Sequence, residues 1–108
     1  MYKKILASVN EHLNSEVAAR YALNLARELQ AKLYLCFVAE ERLSPHACRE
    51  GEDAVQRLFH EARELDIQTE SIVVTGNPVA EIGKIVRREK IELVFASTRR
   101  EDTEKRFY

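Results

Sequence analysis

The segment Val73-Val-Thr-Gly-Asn-Pro-Val-Ala-Glu-Ile82 most narrows the folds open to this chain. An apolar run stops before Gly76, Pro78 follows, and a second apolar run occupies Ile91–Ala96. Glycine can adopt the positive φ of a tight turn, and proline fits the first helical position, where its missing N–H breaks no hydrogen bond. The pattern therefore predicts a strand, a glycine turn, a helix over Pro78–Glu89 and a second buried strand, which is the unit that builds parallel sheets.

The rest of the chain repeats this alternation of strand and helix. Further apolar runs predict strands at Lys4–Val9, Lys32–Val38 and Gln68–Val74. One helix is expected to run from Ser15, whose hydroxyl would cap it, to about Leu29. This order predicts an α/β fold, Rossmann-like, with an open parallel sheet of four strands, helices on both faces and right-handed crossovers.

A second helix is predicted from about Gly51 to Leu65, after a polar segment, Glu40–His46, that contains Pro45 and is assigned to a loop. Helical spacing assigns an inward face to each helix. The residues predicted to face inward are Ala18, Tyr21, Ala22, Leu25, Ala26 and Leu29, then Ala54, Val55, Leu58, Phe59, Ala62 and Leu65, then Val79, Ile82, Ile85 and Val86.

Length and charge limit the number of domains and the classes of binding partner. The 108 residues correspond to a single domain over 1–108, in which residues 97–108 form a charged C-terminal tail. A net charge of −1 gives no general attraction to nucleic acid or to an acidic membrane surface, and no apolar run approaches the roughly 20 residues of a membrane span. We therefore expect a cytoplasmic protein without nucleic-acid or membrane partners.

The sequence carries no recognisable catalytic or metal motif. Cys36 and Cys48 lack metal-ligand spacing, and Cys36 is expected to be a buried, reduced thiol. The three histidines, His12, His46 and His60, pair with no Cys, Asp or Glu at ligand spacing. The Walker motif, the dinucleotide glycine fingerprint and the Gly-x-Ser-x-Gly elbow are missing, so enzymatic activity is uncertain and not favoured.

Three segments in sequence order, Tyr2–Val9, Asn14–Ala22 and Gly76-Asn-Pro78 with Leu93-Val-Phe-Ala96, resemble the first strand, the first helix and the third-to-fourth-strand unit of the universal stress protein family. The resemblance covers essentially the whole chain and implies a stress-response domain of the adenine nucleotide alpha hydrolase-like group. Family members usually have five parallel strands, dimerise through the last strand, and divide into nucleotide binders and non-binders.

Binders of this family carry an aspartate after the first strand and a Gly-x2-Gly-x9-Gly-Ser/Thr loop after the fourth. Here Asn10 stands at the aspartate position, and Ser97 and Arg100 stand at the first two glycine positions. The final Gly-Ser pair and the fifth strand are expected to be absent, so that the chain is either a piece of a longer protein or a short form. Glycines matter because their backbone N–H groups approach phosphate oxygens closely.

By the resemblance, a nucleotide would lie at the carboxyl edge of the sheet. It would touch seven residues there: Ser8, Val9, Asn10, Val38, Ala96, Ser97 and Arg100. Two interpretations stay open. Arg99 or Arg100 replaces the glycine amides by charge and the protein is an ATP- or AMP-binding switch, or these arginines face solvent and pair with Glu101, Asp102 and Glu104.

The sequence favours the second interpretation, a regulatory or interaction domain that is non-catalytic, binds ATP weakly or not at all, and holds no metal. Association as a homodimer or with a protein partner is expected, with pairing through Ile91–Ala96 or through a continuation of the chain. An adenylate-forming enzyme is disfavoured because Ser8-Val-Asn-Glu11 replaces the phosphate loop of such enzymes.

Overall fold

The computed structural model of the chain describes residues 2–10 and 13–96. Strands and helices alternate through this part of the chain, as the sequence pattern predicts. In order, the elements are β1 (Lys4–Val9), α1 (Leu13–Leu29), β2 (Lys32–Ala39), α2 (Pro45–Glu64), β3 (Thr69–Thr75), α3 (Pro78–Glu89) and β4 (Leu93–Phe95).

The strands form one parallel sheet in the order β3-β2-β1-β4. β1 pairs with β2 over Lys4–Val9 and with β4 over Ile5–Ala7. The longest pairing joins β2 to β3, from Leu33 opposite Thr69 to Ala39 opposite Thr75. The prediction of an open, four-stranded parallel α/β sheet is therefore confirmed.

Helices cover both faces of the sheet, and the two faces differ in size. On one face α1 and α2 pack against alternate residues of β1 and β2, including Ile5, Leu33 and Phe37. On the other face α3 packs against Leu6, Tyr34, Cys36 and Val38 through Ile85. The side chains alternate between faces because successive residues of a strand point in opposite directions. β1 and β2 are thus buried on both sides.

Hydrogen bonds at the amino edge of the sheet fix the end of α3. The backbone N–H groups of Lys3 and Lys4 donate to Glu92 Oε1 at 2.8 and 3.1 Å. Tyr34 is buried, and its hydroxyl donates to Glu89 Oε1 at 3.2 Å. The one polar atom of this side chain therefore has a hydrogen-bond partner. A hydrogen bond from Arg88, at 2.9 Å, holds the pKa of Glu89 below its usual value.

Two helix starts differ from the sequence prediction. α2 begins at Pro45, so the predicted loop over Glu40–His46 is wrong at its end and the helix starts six residues before Gly51. Ser44 is the N-cap, and its side chain accepts a hydrogen bond from the Ala47 N–H at 3.1 Å. α1 begins at Leu13, so the predicted cap at Ser15 is also wrong, since Ser15 lies inside the helix.

Three residues predicted to face inward are exposed. Tyr21 and Val79 are 68% and 82% exposed, and Leu65 is also exposed, just beyond the end of α2. Ala22 and Ala26 are buried as predicted. From Ser15 onward, the other buried positions of α1 are Ser15, Ala19 and Leu23. Small alanines let this helix approach the sheet closely, and Tyr21 is left on its flank with its ring 5.8 Å from that of Phe95.

Strand ends differ by one or two residues from those predicted. β2 and β3 each extend one residue further, to Ala39 and Thr75, whereas β4 covers Leu93–Phe95 rather than Ile91–Ala96. Within residues 2–10 and 13–96, no helix combines the length and the apolar character needed to cross a membrane.

Candidate functional site

The residues predicted to form a site lie where the strands end. Ser8, Val9 and Asn10 close β1, Val38 is next to last in β2, and Ala96 follows β4. Because all four strands are parallel, these ends share one edge of the sheet, which is where open α/β sheets bind ligands. Ser97 and Arg100, the other two predicted positions, lie outside the described residues.

The end of β1 is held by the side chain of Ser15. The Asn10 N–H donates to Ser15 Oγ at 3.0 Å, and the Ser15 hydroxyl donates to the Asn10 carbonyl at 3.2 Å. Ser15 is fully buried in the first turns of α1. Both backbone groups of Asn10 are therefore engaged within the protein, and the loop between β1 and α1 is anchored at its start.

The backbone of Val38 is directed toward β1. The Lys32 N–H donates to the Lys3 carbonyl and the Leu33 N–H donates to the Gln68 carbonyl, so alternate residues of β2 bond to opposite neighbours. By this alternation Val38 shares the direction of Lys32. Its carbonyl lies past Val9, the last residue of β1, because Val9 pairs with Phe37. The side chain of Val38 is buried against α3, so only its backbone is presented at this edge.

A glycine turn joins β3 to α3 at the same edge. The Gly76 N–H donates to the Ala39 carbonyl at 3.0 Å, and Gly76 has a φ of +147°, a region that glycine adopts without strain. Asn77 caps α3 by accepting from the Ala80 N–H at 3.0 Å, and Pro78 follows at the first helical position. The predicted roles of Gly76 and Pro78 are confirmed.

Carboxylates are frequent among the described residues at this edge. Glu40 and Glu41 follow β2, and Glu81 lies in the first turn of α3 with its side chain against Gly76. Cations are present too, but Lys84 Nζ is already paired with Glu81 Oε2 at 2.9 Å. Arg42 is the other cation here. The described part of this edge therefore offers little net positive charge to an anionic ligand.

A second cluster of charges lies beside the start of α1. Glu16 Oε1 pairs with Arg57 at 2.7 Å, and Glu16 Oε2 pairs with Arg20 at 3.4 Å. Arg20 Nε in turn lies 3.3 Å from Glu61 Oε2, without the geometry of a hydrogen bond. These contacts join α1 to α2, so Arg20 and Arg57 are committed to structural pairs.

Cys36 lies below this edge, and its thiol has low reactivity. Its side chain is fully buried, as predicted. Burial, with a contribution from the charge of Glu81, raises the pKa of the Cys36 thiol from 9.0 to about 11. The thiolate needed for nucleophilic or metal chemistry is therefore scarce near neutral pH. Among the residues described, no three His, Cys, Asp or Glu side chains are grouped to hold a metal ion.

Sequence reasoning located the edge but missed two residues that shape it, Ser15 and Glu81. Ser15 was interpreted as a helix cap, and its true partner, Asn10, lies five residues earlier. Glu81 gave a weak signal, since an acidic residue in the first turn of a helix is common for dipole reasons alone.

Two clefts in the described structure lie away from this edge. One, of about 300 Å³, lies between α1 and α2 beside Arg20 and Glu61. The other, of about 360 Å³, lies where α1 and α2 end, and is lined by Ala26, Arg27, Gln30, Ala31, Leu65, Asp66, Ile67 and Gln68. Neither contains a predicted site residue.

Comparison with known proteins identifies relatives that match most of this chain. A universal stress protein of Methanocaldococcus jannaschii is 25% identical to this chain over a match that covers 91% of it. The chain spans 65% of the length of that relative.

Solved structures share the fold at lower identity. A universal stress protein family member from Burkholderia pseudomallei superposes with a TM-score of 0.78 at 17% identity, over 90% of this chain and 82% of the other. An Arabidopsis thaliana family protein, solved with AMP bound, gives a TM-score of 0.67 at 20% identity, over 86% of this chain and 76% of the other. The family model for universal stress proteins matches residues 1–108, and the chain belongs to the universal stress protein family.

Proposed function

We propose that this universal stress protein domain is a non-catalytic regulatory or interaction module, that it binds ATP or AMP weakly or not at all, and that it acts as a homodimer or with a protein partner. The observation that carries the proposal is the closed end of β1. The Asn10 N–H, at the position where binders of the family carry an aspartate, is already donated to Ser15 Oγ at 3.0 Å and is not available to a ligand.

Two further features support weak binding. Asn10 stands where binders of the family have an aspartate, so a ribose hydroxyl would meet a neutral amide and not a charged acceptor. The carboxylates of Glu40 and Glu41 also make the described part of the edge a poor environment for a triphosphate.

One alternative has specific support, namely an ATP- or AMP-binding switch. The carbonyl of Val38 lies past the end of β1, where it could accept a hydrogen bond from an amino group on an adenine ring. The Arabidopsis neighbour was solved with AMP bound. In this alternative Arg100 supplies the charge that glycine amides supply elsewhere in the family.

Calorimetric titration with ATP and with AMP distinguishes the two functions. We expect no saturable binding at micromolar nucleotide and no shift in melting temperature, since ligand at 100-fold over its Kd would stabilise the fold by about 2.7 kcal/mol. Nucleotide extracted from the purified protein with acid should likewise be absent.

Variants at two positions sharpen this test. Asn10→Asp restores the acid of the binders and should increase affinity only if the rest of the edge can hold a nucleotide. A micromolar Kd for ATP in the unmodified chain, weakened at least tenfold by Arg100→Ala, would overturn the proposal in favour of the switch.

A further inference from the structure

We propose that the outer edge of β3 is a self-association surface, at which β3 pairs antiparallel with β3 of a second copy of the chain about a two-fold axis centred on Val73. This inference rests on the homodimer included in the proposed function and names the surface that forms it. The sequence left two pairings open, through Ile91–Ala96 or through a continuation of the chain, and this surface lies at the opposite edge of the sheet from Ile91–Ala96.

The first argument concerns backbone groups. The Gly76 N–H donates to β2, and by the alternation of the ladder the even-numbered residues of β3 bond inward. Ser71, Val73 and Thr75 therefore direct their N–H and carbonyl groups away from the sheet. No hydrogen bond in the described part of the chain uses these groups. An edge strand in this state is a template for another strand.

The second argument compares the two outer strands. β3 has seven residues in continuous register with β2, whereas β4 has three. Thr69–Thr75 contains no proline, no lysine and no bulge in its register, which are three of the features that block edge pairing. Its β-branched residues suit a paired strand. Of the two outer strands in the described part of the chain, β3 is the one better suited to accept a partner.

The third argument is self-complementarity. Centring the pair on Val73 places Val73 opposite the partner's Val73 and Ser71 opposite the partner's Thr75, so the outward backbone groups of Ser71, Val73 and Thr75 meet those of the partner. On the α3 side, Ile72 then lies opposite the partner's Val74. Cross-strand pairs of β-branched residues stabilise a sheet. Val73 is 46% exposed in the single chain, and pairing would cover it.

The charged side chain of β3 does not oppose this antiparallel pairing. Glu70 is the one charged residue of β3, and it lies 3.0 Å from Lys32 Nζ of the neighbouring strand. In the proposed register it falls opposite the partner's Gly76, so no like charges face each other. A second copy of the chain is thus a matching partner for this edge.

Hydrogen exchange measured at several protein concentrations tests the proposal without any substitution. The amides of Ser71, Val73 and Thr75 should exchange freely in dilute protein and become at least tenfold slower as the dimer forms. The inward amides of Ile72 and Val74 serve as internal controls, because they are protected in the monomer as well. Outward amides that stay unprotected in a dimeric sample would overturn the β3 pairing while leaving dimerisation itself intact.

A charge-swap pair provides the second test, read by sedimentation velocity. The unmodified chain should sediment as a dimer of about 25 kDa, twice the 12.5 kDa of one chain. Val73→Lys and Val73→Glu should each weaken the dimer at least tenfold by placing like charges opposite each other. Mixing the two variants should restore it, which also shows that both are folded.

Val94→Lys, on β4, is the matched control and should leave the dimer unchanged. A dimer lost in Val94→Lys but kept in Val73→Lys would assign the interface to β4 and refute the inference. A chain that is monomeric at all concentrations would refute both the inference and the homodimer. The nucleotide titrations would still test ligand binding at the carboxyl edge of the sheet separately.

Discussion

At the scale of single residues, Gly51 is the position where packing leaves least room. It lies inside α2, and a Cβ added there would overlap the Phe37 ring, reaching 2.7 Å from Cδ1 and closer to two further ring atoms. We expect Gly51→Ala to lower the free energy of unfolding by about 1–3 kcal/mol, because overpacking exceeds the gain in helix propensity of about 1 kcal/mol. Urea unfolding measures the change.

Gly83 in α3 is the matched control for this prediction. A Cβ there would approach only the end of the Arg87 side chain, at 3.4 Å, and that side chain can move. Gly83→Ala should therefore stabilise the protein by up to about 1 kcal/mol through helix propensity alone. If Gly51→Ala stabilises the protein as Gly83→Ala does, the close contact between Gly51 and Phe37 is not as the structure gives it.

At the scale of elements, the two helices that begin with proline share one design. Ser44-Pro45 opens α2 and Asn77-Pro78 opens α3, each with a capping side chain followed by proline at the first helical turn. We expect Ser44→Ala to destabilise the protein by about 1 kcal/mol, because the Ala47 N–H loses its acceptor. The measurement is again the midpoint of urea unfolding.

Ser44→Asn separates the cap from other effects of the substitution. Asparagine is as good a cap as serine, so this variant should keep nearly full stability. A loss equal to that of Ser44→Ala would show that the hydroxyl acts through something other than the cap.

The comparison of Pro45 with Pro78 explains what the sequence could predict. Pro78 follows a glycine turn and precedes clear apolar spacing, so its helix was found with both bounds correct. Pro45 precedes the polar run His46–Glu50, and without apolar spacing the first turns of α2 were assigned to a loop. Periodicity identifies the part of a helix that packs, and the capping residues have to identify the rest.

The candidate site, too, could be predicted from the sequence only in part. Val38 and Asn10 were placed at the edge correctly because strand ends follow from the apolar runs, and parallel strands end together. Other features depend on how the helices are positioned against the sheet. They are the Ser15–Asn10 hydrogen bonds and the close approach of Gly51 to Phe37. No local pattern in the sequence encodes that placement, and Tyr21 was misplaced for the same reason.

At the scale of the whole molecule, the two faces of the sheet are unequally covered. α2 alone buries five residues on its face, whereas α3 buries only Ile85 on the other. A layer with few buried contacts opens at a lower free energy than the rest of the domain. We therefore expect α3 to open while α1, α2 and the sheet stay folded.

Cys36 reports on this opening because its side chain lies under α3. In the closed state the thiol is buried and its pKa is about 11, so at pH 8 labelling requires α3 to move away. In a Cys48→Ser background, Ile85→Ala should accelerate labelling of Cys36 by tenfold or more, since losing a buried isoleucine side chain weakens α3 by about 2–5 kcal/mol.

Leu58→Ala, on the α2 face, is the control that distinguishes local from global opening. It lowers global stability by a similar amount but leaves the contact between α3 and the sheet intact, so it should change the labelling rate little. Equal acceleration by Ile85→Ala and Leu58→Ala would mean that Cys36 is exposed only when the whole domain unfolds. The two faces would then form one cooperative unit despite their unequal burial, and α3 could not move independently of the sheet.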